Sequence, residues 1–297
     1  MKATIAICTH NRADELEEAI RSALDQDYNR NDFEVLVIDN RSTDATPMIV
    51  SRLEKETSGK LRYIYEEKLG LSAARNRAIK ESKGEFILFL DDDAIACSNW
   101  IKSILSVFET DSQIGCVGGK IEPIWQGGEP TWISDQHKSL YSILDYSDQI
   151  TEMPHPKIPF GANVAFRKNI FREMTPFRED LGRVGTNLLS NEESELISRI
   201  RKQYKVFYTP HGFVKHKIAK DRSTKKWILR RFYWQGISYS TVSKNNAAVS
   251  MAKHIIKWLE AAVLLIFNFY NNKKAINQLV KICYRNGAIV GLFRQKG

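Results

Sequence analysis

The chain has 297 residues, of which 43% are hydrophobic and 27% charged, and it contains no repeat or low-complexity tract. It is therefore a globular protein with enough residues to bury one large domain or two smaller ones, and not a fibrous or disordered chain. The net charge of +9 is unevenly spread: residues 211–297 hold 17 Lys and Arg against 2 Asp and Glu, giving +15, whereas residues 1–210 carry −6.

Four apolar segments in the first 110 residues alternate with segments of helical periodicity. The predicted strands are residues 4–8, 33–38, 61–65 and 86–90. The predicted helices are residues 13–27, 47–57 and 72–82, and one capped by Ser98 or Asn99. This alternation predicts an α/β fold with a mostly parallel sheet and helices on both faces, in which ligands bind beyond the carboxyl ends of the strands.

The pattern loosens after Gly118. Residues 122–158 are predicted to form a long loop, 160–166 a strand and 192–201 a helix. Two short strands are predicted at 206–208 and 213–214, and helices from Arg222 onward. The four cysteines are widely scattered without metal-site spacing, and the apolar N-terminal stretch is too short for a signal peptide. These features predict reduced thiols and a cytoplasmic location. If the basic C-terminal region contacts the membrane, the protein is peripheral on its cytoplasmic face.

Polar residues follow three of the four predicted strands. They are Thr9, His10, Asn11 and Arg12 after the first strand, Asp39 and Asn40 after the second, and Asp91, Asp92 and Asp93 after the fourth. We expect them at one edge of the sheet. Three adjacent carboxylates repel one another, so a cation should lie beside them. Neither the glycine-rich dinucleotide fingerprint nor the P-loop is present.

Several stretches, in this order, resemble the family 2 glycosyltransferases, which have the GT-A (Rossmann-like) fold. They are ICTHNR (7–12), VIDNRSTDAT (37–46), GLSAARNRAI (70–79) followed by FLDDDA (89–94), then FGANVAF (160–166) and NEESEL (191–196). A lone acidic triplet is a weak signal, but these segments in the right order are specific. The resemblance covers about residues 1–216, with a sugar-donor half to about 120 and an acceptor half from 121; residues 217–297 form a basic helical region.

The resemblance implies that the acidic triplet binds a divalent cation. Asp91 and Asp93 form the DxD pair, with Asp92 sharing either metal or ribose contacts, and His216 is either a further metal ligand or a structural histidine. Oxygen ligands suit Mn²⁺ or Mg²⁺. Such a cation neutralises the diphosphate that leaves when the sugar is transferred.

The resemblance also implies the remaining site residues. The residues that bind the sugar donor are Thr9, His10, Asn11, Arg12, Asp39, Arg75, Asp91 and Asp92. His10 stands where the family usually has Tyr, Asp39 either binds the nucleobase or closes an Asx turn, and Arg75 either reaches the nucleotide or lies on an exposed helix face. Glu193, with Glu192 as the alternative, is the catalytic base, unless both are acids favoured by the helix dipole. Gly161 and Asn163 lie on the acceptor side.

The function implied is an inverting glycosyltransferase of cell-envelope or glycan assembly. Its sugar donor is a UDP-, GDP- or dTDP-linked sugar, and its acceptor a glycan or lipid-linked hydroxyl. The alternatives are a non-catalytic nucleotide-sugar-binding or scaffold member and a nucleotidyltransferase.

The basic C-terminal segments 222–243 and 251–270 mix Lys and Arg with Trp, Phe and Ile. The apolar run 261–270 is too short to span a bilayer. The composition suits either helices in an anionic membrane interface or helices packed on the catalytic domain. We expect no nucleic-acid partner, because the acidic body would repel it and no recognition motif occurs.

Overall fold

A computed structural model describes residues 1–57, 59–243 and 247–294. The strands are β1 (Ala3–Thr9), β2 (Phe33–Asp39), β3 (Leu61–Tyr65), β4 (Phe86–Asp91), β5 (Ala94–Ala96), β6 (Ile114–Trp125), β7 (Thr151–Glu152), β8 (Asn163–Arg167) and β9 (Lys205–Ile218). The helices are α1 (Ala13–Leu24), α2 (Thr46–Glu56), α3 (Leu71–Glu81), α4 (Trp100–Thr110), α5 (Glu192–Ile200), α6 (Lys225–Val242), α7 (Ala247–Asn268) and α8 (Asn272–Arg294). Short 3₁₀ turns lie at Asp135–Tyr141, Lys168–Arg172 and Lys220–Ser223.

The nine strands found in the described ranges form one mixed sheet. Eight follow the order β3-β2-β1-β4-β8-β6-β9-β5, and β7 pairs with β9. The pairs β1–β2, β1–β4 and β2–β3 are parallel, and β4–β8 is antiparallel. The predicted α/β fold with a mostly parallel N-terminal sheet and a helical C-terminal region is confirmed.

Alternate residues of the central strands enter two hydrophobic clusters, one on each face of the sheet. Ile5 and Ile7 of β1 join the cluster that includes the apolar faces of α1, α2 and α4, whereas Ala6 joins the one that includes α3 and α5. This two-sided burial follows from the period of two along a strand, and it explains why these strands are almost continuously apolar.

Contacts divide the chain into two units. The first comprises Met1–Ile124, Ser142–Glu179 and Glu192–Lys217, and the second comprises Trp125–Tyr141, Asp180–Asn191 and the chain from Ile218 onward. In the second unit α8 packs against both α6 and α7. Gly236 of α6 and Gly287 of α8 allow this close approach, because a Cβ at either position would lie 2.0 Å or less from a backbone oxygen of the other helix.

Several predicted boundaries and elements are wrong. The predicted loop 122–158 contains the end of β6, a 3₁₀ turn and the two-residue β7, and α1 ends at Leu24 and not at residue 27. The two short strands predicted near residues 206 and 213 are one 14-residue strand, β9. Pro210 and Gly212 are residue types that usually interrupt a strand. They lie between Phe207–Tyr208, which pair with β7, and Val214–His216, which pair with β5, so the strand passes through them.

Candidate active site

The polar residues predicted at strand ends do meet at one edge of the sheet. In the β1–β2 register Thr9 lies opposite Asp39, and in the β1–β4 register Cys8 lies opposite Asp91. The carboxyl ends of three adjacent parallel strands therefore lie side by side. Short β5 then turns back and pairs with β9, which places Ala94 opposite His216.

Asp91, Asp93 and His216 form a potential metal site. One ligand atom from each residue lies within 4.8 Å of the other two. Asp93 and His216 are buried, with His216 Nε2 3.1 Å from Asp93 Oδ1, whereas the side chain of Asp91 is one-third exposed. Two carboxylates and an imidazole, open on the Asp91 side, suit a divalent cation that also takes ligands from a bound molecule.

Arg12 offsets part of the negative charge of the triplet. Its Nη2 donates to Asp93 Oδ2 at 2.7 Å, and its Nε lies 3.8 Å from Asp92 Oδ1. Burial, together with the adjacent Asp93, raises the pKa of Asp92 to about 7. The cation predicted beside the triplet is thus supplied in part by the protein's own arginine.

Arg75 is a buried cation among three carboxylates. Its Nη1 lies 3.1 Å from Glu192 Oε1 and 3.0 Å from Glu193 Oε1, and its Nη2 lies 3.5 Å from Asp91 Oδ1. The rings of Phe89 and Phe177 flank the guanidinium, with centroids 5.9 and 5.4 Å from its central carbon. Arg75 therefore lies between the candidate metal site and the first turn of α5, and not on an exposed helix face.

Glu192 and Glu193 differ in protonation and access. Burial and the neighbouring Glu193 raise the pKa of Glu192 to about 8, so that this carboxyl is largely protonated at neutral pH. Burial also disfavours the charged form of Glu193, but Arg75 and Glu192 outweigh it, and the pKa of Glu193 is lowered. The side chain of Glu193 is 17% exposed, against 4% for Glu192. Glu193 is thus the ionised and more accessible carboxylate of the pair.

Gly161 lies against this ion pair. A Cβ at this position would lie 2.0 Å from Arg75 Nη2 and 2.5 Å from Glu193 Oε1. Any larger residue would displace the arginine or the glutamate, so a glycine here allows the segment before β8 to approach the pair closely. The structure thus brings Gly161 next to the predicted base.

Asp39 is fully buried and both of its oxygens are engaged. Oδ1 accepts from the backbone N–H of Ser42, three residues further along the loop, and Oδ2 accepts from the hydroxyl of Tyr63 at 2.7 Å. Burial and the bond to Asp39 raise the pKa of Tyr63. Asp39 therefore organises the loop after β2 in this structure.

The segment after β1 is tied to the loop after β2. His10 Nδ1 lies 2.7 Å from the carbonyl oxygen of Asn40, and Asn11 Oδ1 accepts from the N–H of Thr43. Asn11 adopts a positive φ of 53°, which asparagine tolerates. Thr9 is buried at the strand end. The segment after β1 and the loop after β2 are therefore bonded to each other beside the acidic triplet.

Asn163 does not present its side chain at this edge. It is fully buried, and its amide oxygen accepts from Trp100 Nε1 at 2.8 Å. Its Nδ2 donates to the carbonyl oxygens of Lys120 and Gly212 at 3.0 and 2.8 Å. Asn163 therefore joins β6, β8 and β9.

Sequence patterns did not identify several residues that build the site. Tyr63 and Phe177 are examples, since an aromatic residue in a strand or loop is usually assigned to the core. Asn76 is another: its amide bonds both the N–H and the carbonyl oxygen of Phe177 at 2.9 Å, which fixes the ring beside Arg75. The only hint was its place in the ARN segment, next to Arg75.

The model of the family described as "Glycosyl transferase family 2" matches residues 4–175, more than half of the chain and all of the strand-end residues above. The chain belongs to this family. Among its relatives, the glucosyl-dolichyl phosphate glucuronosyltransferase of Haloferax volcanii is 24% identical over 245 residues, which are 80% of this chain and 76% of the relative. Glycosyltransferase AglE of the same organism is 25% identical over 60% of this chain, and the match spans only 56% of its length.

A solved structure confirms the fold. The mannosyltransferase PcManGT from Pyrobaculum calidifontis, solved in complex with GDP-Man and Mn²⁺, superposes with a TM-score of 0.63 at 19% identity, over 96% of this chain and 86% of that one. The protein is therefore a glycosyltransferase with the GT-A fold. Its four cysteines are free thiols, and no helix within the described ranges has the length and hydropathy needed to cross a bilayer.

Proposed function

We propose that this family 2 glycosyltransferase is metal-dependent and inverting, and that it moves a sugar from a nucleotide diphosphate to an acceptor hydroxyl. The observation that supports this most directly is the continuity of the site. The Asp91–Asp93–His216 group contacts Arg75, and Arg75 contacts the carboxylate of Glu193. A metal site and a candidate base are thus joined by one buried cation.

Asp91, Asp93 and His216 would hold the cation. The imidazole favours Mn²⁺ over Mg²⁺, which prefers oxygen ligands alone. When bound, such a cation supplies Lewis-acid stabilisation of the departing diphosphate. Asp91 has the most exposed side chain of the three ligands, so the sugar donor would approach on its side.

Glu193 would accept the proton of the acceptor hydroxyl. Its lowered pKa keeps it ionised, and it is more exposed than Glu192, so it is the better base of the two. Glu192, largely protonated, would serve as its buried neighbour. A single base acting in one displacement inverts the anomeric centre. Arg75 would hold Glu193 in place and, across Asp91, keep it next to the metal site.

The sugar-donor pocket would consist of the loop pair beside the triplet. Thr9, His10, Asn11 and Arg12 would line it, with Asp39 and Asp92. Asp39 and Arg75 are buried, so they would act mainly by shaping the loops and carboxylates that contact the nucleotide. The sugar donor would be UDP-, GDP- or dTDP-linked, in line with the GDP-Man bound by PcManGT.

The acceptor would be a glycan or a lipid-linked sugar of cell-envelope assembly. The name of the Haloferax relative, which includes a dolichyl phosphate, supports the lipid-linked class. We propose residues 1–216 as the catalytic region, with Gly161 on the acceptor side and Asn163 as its structural support. We also propose a cytoplasmic location, with the basic C-terminal helices on an anionic membrane surface.

The test is calorimetric titration of a panel of nucleotide sugars with Mn²⁺ and then with EDTA. We expect one sugar donor to bind only with metal, and Asp93→Asn to weaken it at least tenfold. Asp148→Asn, which removes one exposed carboxylate, is the matched control and should bind like the wild type. If no nucleotide binds under any metal condition, the sugar-donor and metal assignments fail. If the sugar donor binds but is never consumed, the protein is a binding member of the family.

A further inference from the structure

Among the residues that the structure describes, the exposed large apolar side chains are concentrated in α7 and the turn after it. Ten of them lie between residues 249 and 270, whereas the described residues of the first unit have four. The ten are Val249, Ile255, Ile256, Leu259, Val263, Leu264, Ile266, Phe267, Phe269 and Tyr270. Monomeric soluble proteins rarely expose a contiguous apolar patch of this size unless it binds a partner.

Only a narrow seam of α7 is covered. His254 and Ala261 are buried and Trp258 and Leu265 partly buried, at spacings of three and four residues, which is the face that packs against α8. Leu259, Val263 and Phe267 follow one another at four-residue spacing on a different face. They are 53, 52 and 68% exposed. The helix thus has a packed seam and, separately, an apolar stripe.

Basic residues border the stripe. Lys253 and Lys257 lie one turn apart on the side of α7 next to it, and Lys273 and Lys274 follow the exposed Phe269–Tyr270 pair at the α7–α8 turn. The only acid from residue 222 to the C-terminus is Glu260, against 14 Lys and Arg, and Lys257 already pairs with it at 2.8 Å. Apolar side chains flanked by lysines, with aromatic residues at the boundary, are the features of a helix lying in a membrane interface.

We propose that the α7 stripe and the aromatic–basic turn after it lie flat in the surface of an anionic bilayer. This inference specifies the membrane partner proposed above and rests on that part of the proposed function, but not on the catalytic assignment. The lysines contact anionic headgroups while Leu259, Val263 and Phe267 enter the acyl boundary. Other occupants fit less well. A second copy would bring the same lysines together with no free carboxylate on α7 to pair with them, and nucleic acid would leave the stripe without an apolar partner.

The test uses the full chain and flotation with vesicles of neutral lipid alone or with about 30% anionic phosphatidylglycerol, which gives the vesicle a negative surface potential. We expect binding to the anionic vesicles and little to the neutral ones. The triple variant Leu259→Asn, Val263→Asn, Phe267→Asn should lose at least tenfold in partitioning. Because the three side chains are exposed, the variant should fold, which its circular dichroism checks; Met48→Asn, an exposed apolar residue of α2, is the control.

The charge contribution is tested with Lys253→Gln, Lys273→Gln, Lys274→Gln. Each lysine near an anionic surface contributes roughly fivefold, so the triple change should reduce partitioning by about two orders of magnitude, as added salt should. Lys55→Gln, Lys80→Gln, Lys83→Gln makes the same charge change on the first unit and should leave partitioning within about threefold of wild type.

Three results would overturn the proposal: no binding of the wild type to anionic vesicles, unchanged binding of the apolar variant, or a wild-type dimer in light scattering that the apolar variant dissociates. The last would assign the stripe to self-association. Sugar-donor binding by calorimetry is measured on the same variants. It should be unchanged in all of them, so that failure of the membrane surface and failure of the catalytic proposal are separate results.

Discussion

At the residue scale, the arrangement around Arg75 shows how burial creates chemical difference between identical side chains. Glu192 and Glu193 are neighbours in sequence and both contact the same guanidinium nitrogen. Glu192 is buried and its pKa is raised, whereas Glu193 is more exposed and its pKa is lowered. A pair of carboxylates whose pKa values diverge is the usual arrangement in acid–base catalysis.

The first prediction separates these two glutamates. Glu193→Gln should lower the rate of nucleoside diphosphate release by 10²- to 10⁴-fold, the range expected for removal of a general base, and leave the Kd of the sugar donor within about threefold. Glu192→Gln keeps a neutral, hydrogen-bonding side chain and should lower the rate less than about tenfold. The reverse ranking of the two variants would make Glu192 the base.

The second prediction concerns pH and stability. A carboxyl whose folded pKa is raised contributes stability that is fully present below its unfolded value of 4.5 and is lost as pH rises through about 8. Glu192→Gln removes this loss. The difference in unfolding free energy, variant minus wild type, should therefore increase by about 1 kcal/mol or more between pH 5 and pH 9. Urea unfolding at several pH values measures it, with Glu109→Gln on the surface as the single-charge control. If this difference decreased as the pH rises, the raised pKa assigned to Glu192 would be contradicted.

At the element scale, one side chain joins the three strands on the C-terminal side of the sheet, β6, β8 and β9. Asn163 at the start of β8 bonds to the backbone next to it in the sheet at Lys120 and Gly212, and to the indole of Trp100 in α4. These bonds join β6 and β9 to the start of β8, two residues after Gly161. A polar residue in this position acts as a buried connector between strands.

The third prediction tests that connector. Asn163→Ala leaves the Trp100 N–H and two backbone carbonyls buried without this partner, so unfolding free energy should fall by roughly 2 to 4 kcal/mol. Chemical unfolding measures the loss. Asn31→Ala, an exposed asparagine, should change stability by no more than about 0.5 kcal/mol. Equal effects of the two substitutions would mean that the bonds of Asn163 are dispensable.

At the scale of the whole molecule, charge and apolar exposure are segregated. The first 210 residues are net acidic and contain the carboxylate site, whereas the C-terminal helices carry the basic charge and the exposed apolar stripe. The acidic site is not fully neutralised by Arg12 and Arg75, so a divalent cation should stabilise the folded molecule as a whole.

The fourth prediction measures that stabilisation. Mn²⁺ at 100 times its Kd should add about 2.7 kcal/mol, and the thermal midpoint of wild type should rise by several degrees. Asp93→Asn should show little of this rise, and EDTA should reverse it in wild type. An equal rise in the variant would place the cation elsewhere. Mg²⁺ should give a smaller rise at the same concentration, because an imidazole is among the ligands.

The amino-acid sequence was enough to predict the α/β class, the strand-end position of Asp39 and Asp91–Asp93, and the helix that begins at Glu192. These features depend on local periodicity and on motifs of a few residues, which act within one element. The folded structure was needed to show that Arg75 pairs with Glu192 and Glu193, more than 110 residues away, and that Asn163 is buried between strands. It also decided which face of α7 packs and which is exposed. The physical reason is that burial and ion pairing depend on neighbours brought together by folding, and a single sequence does not state which distant segments become neighbours.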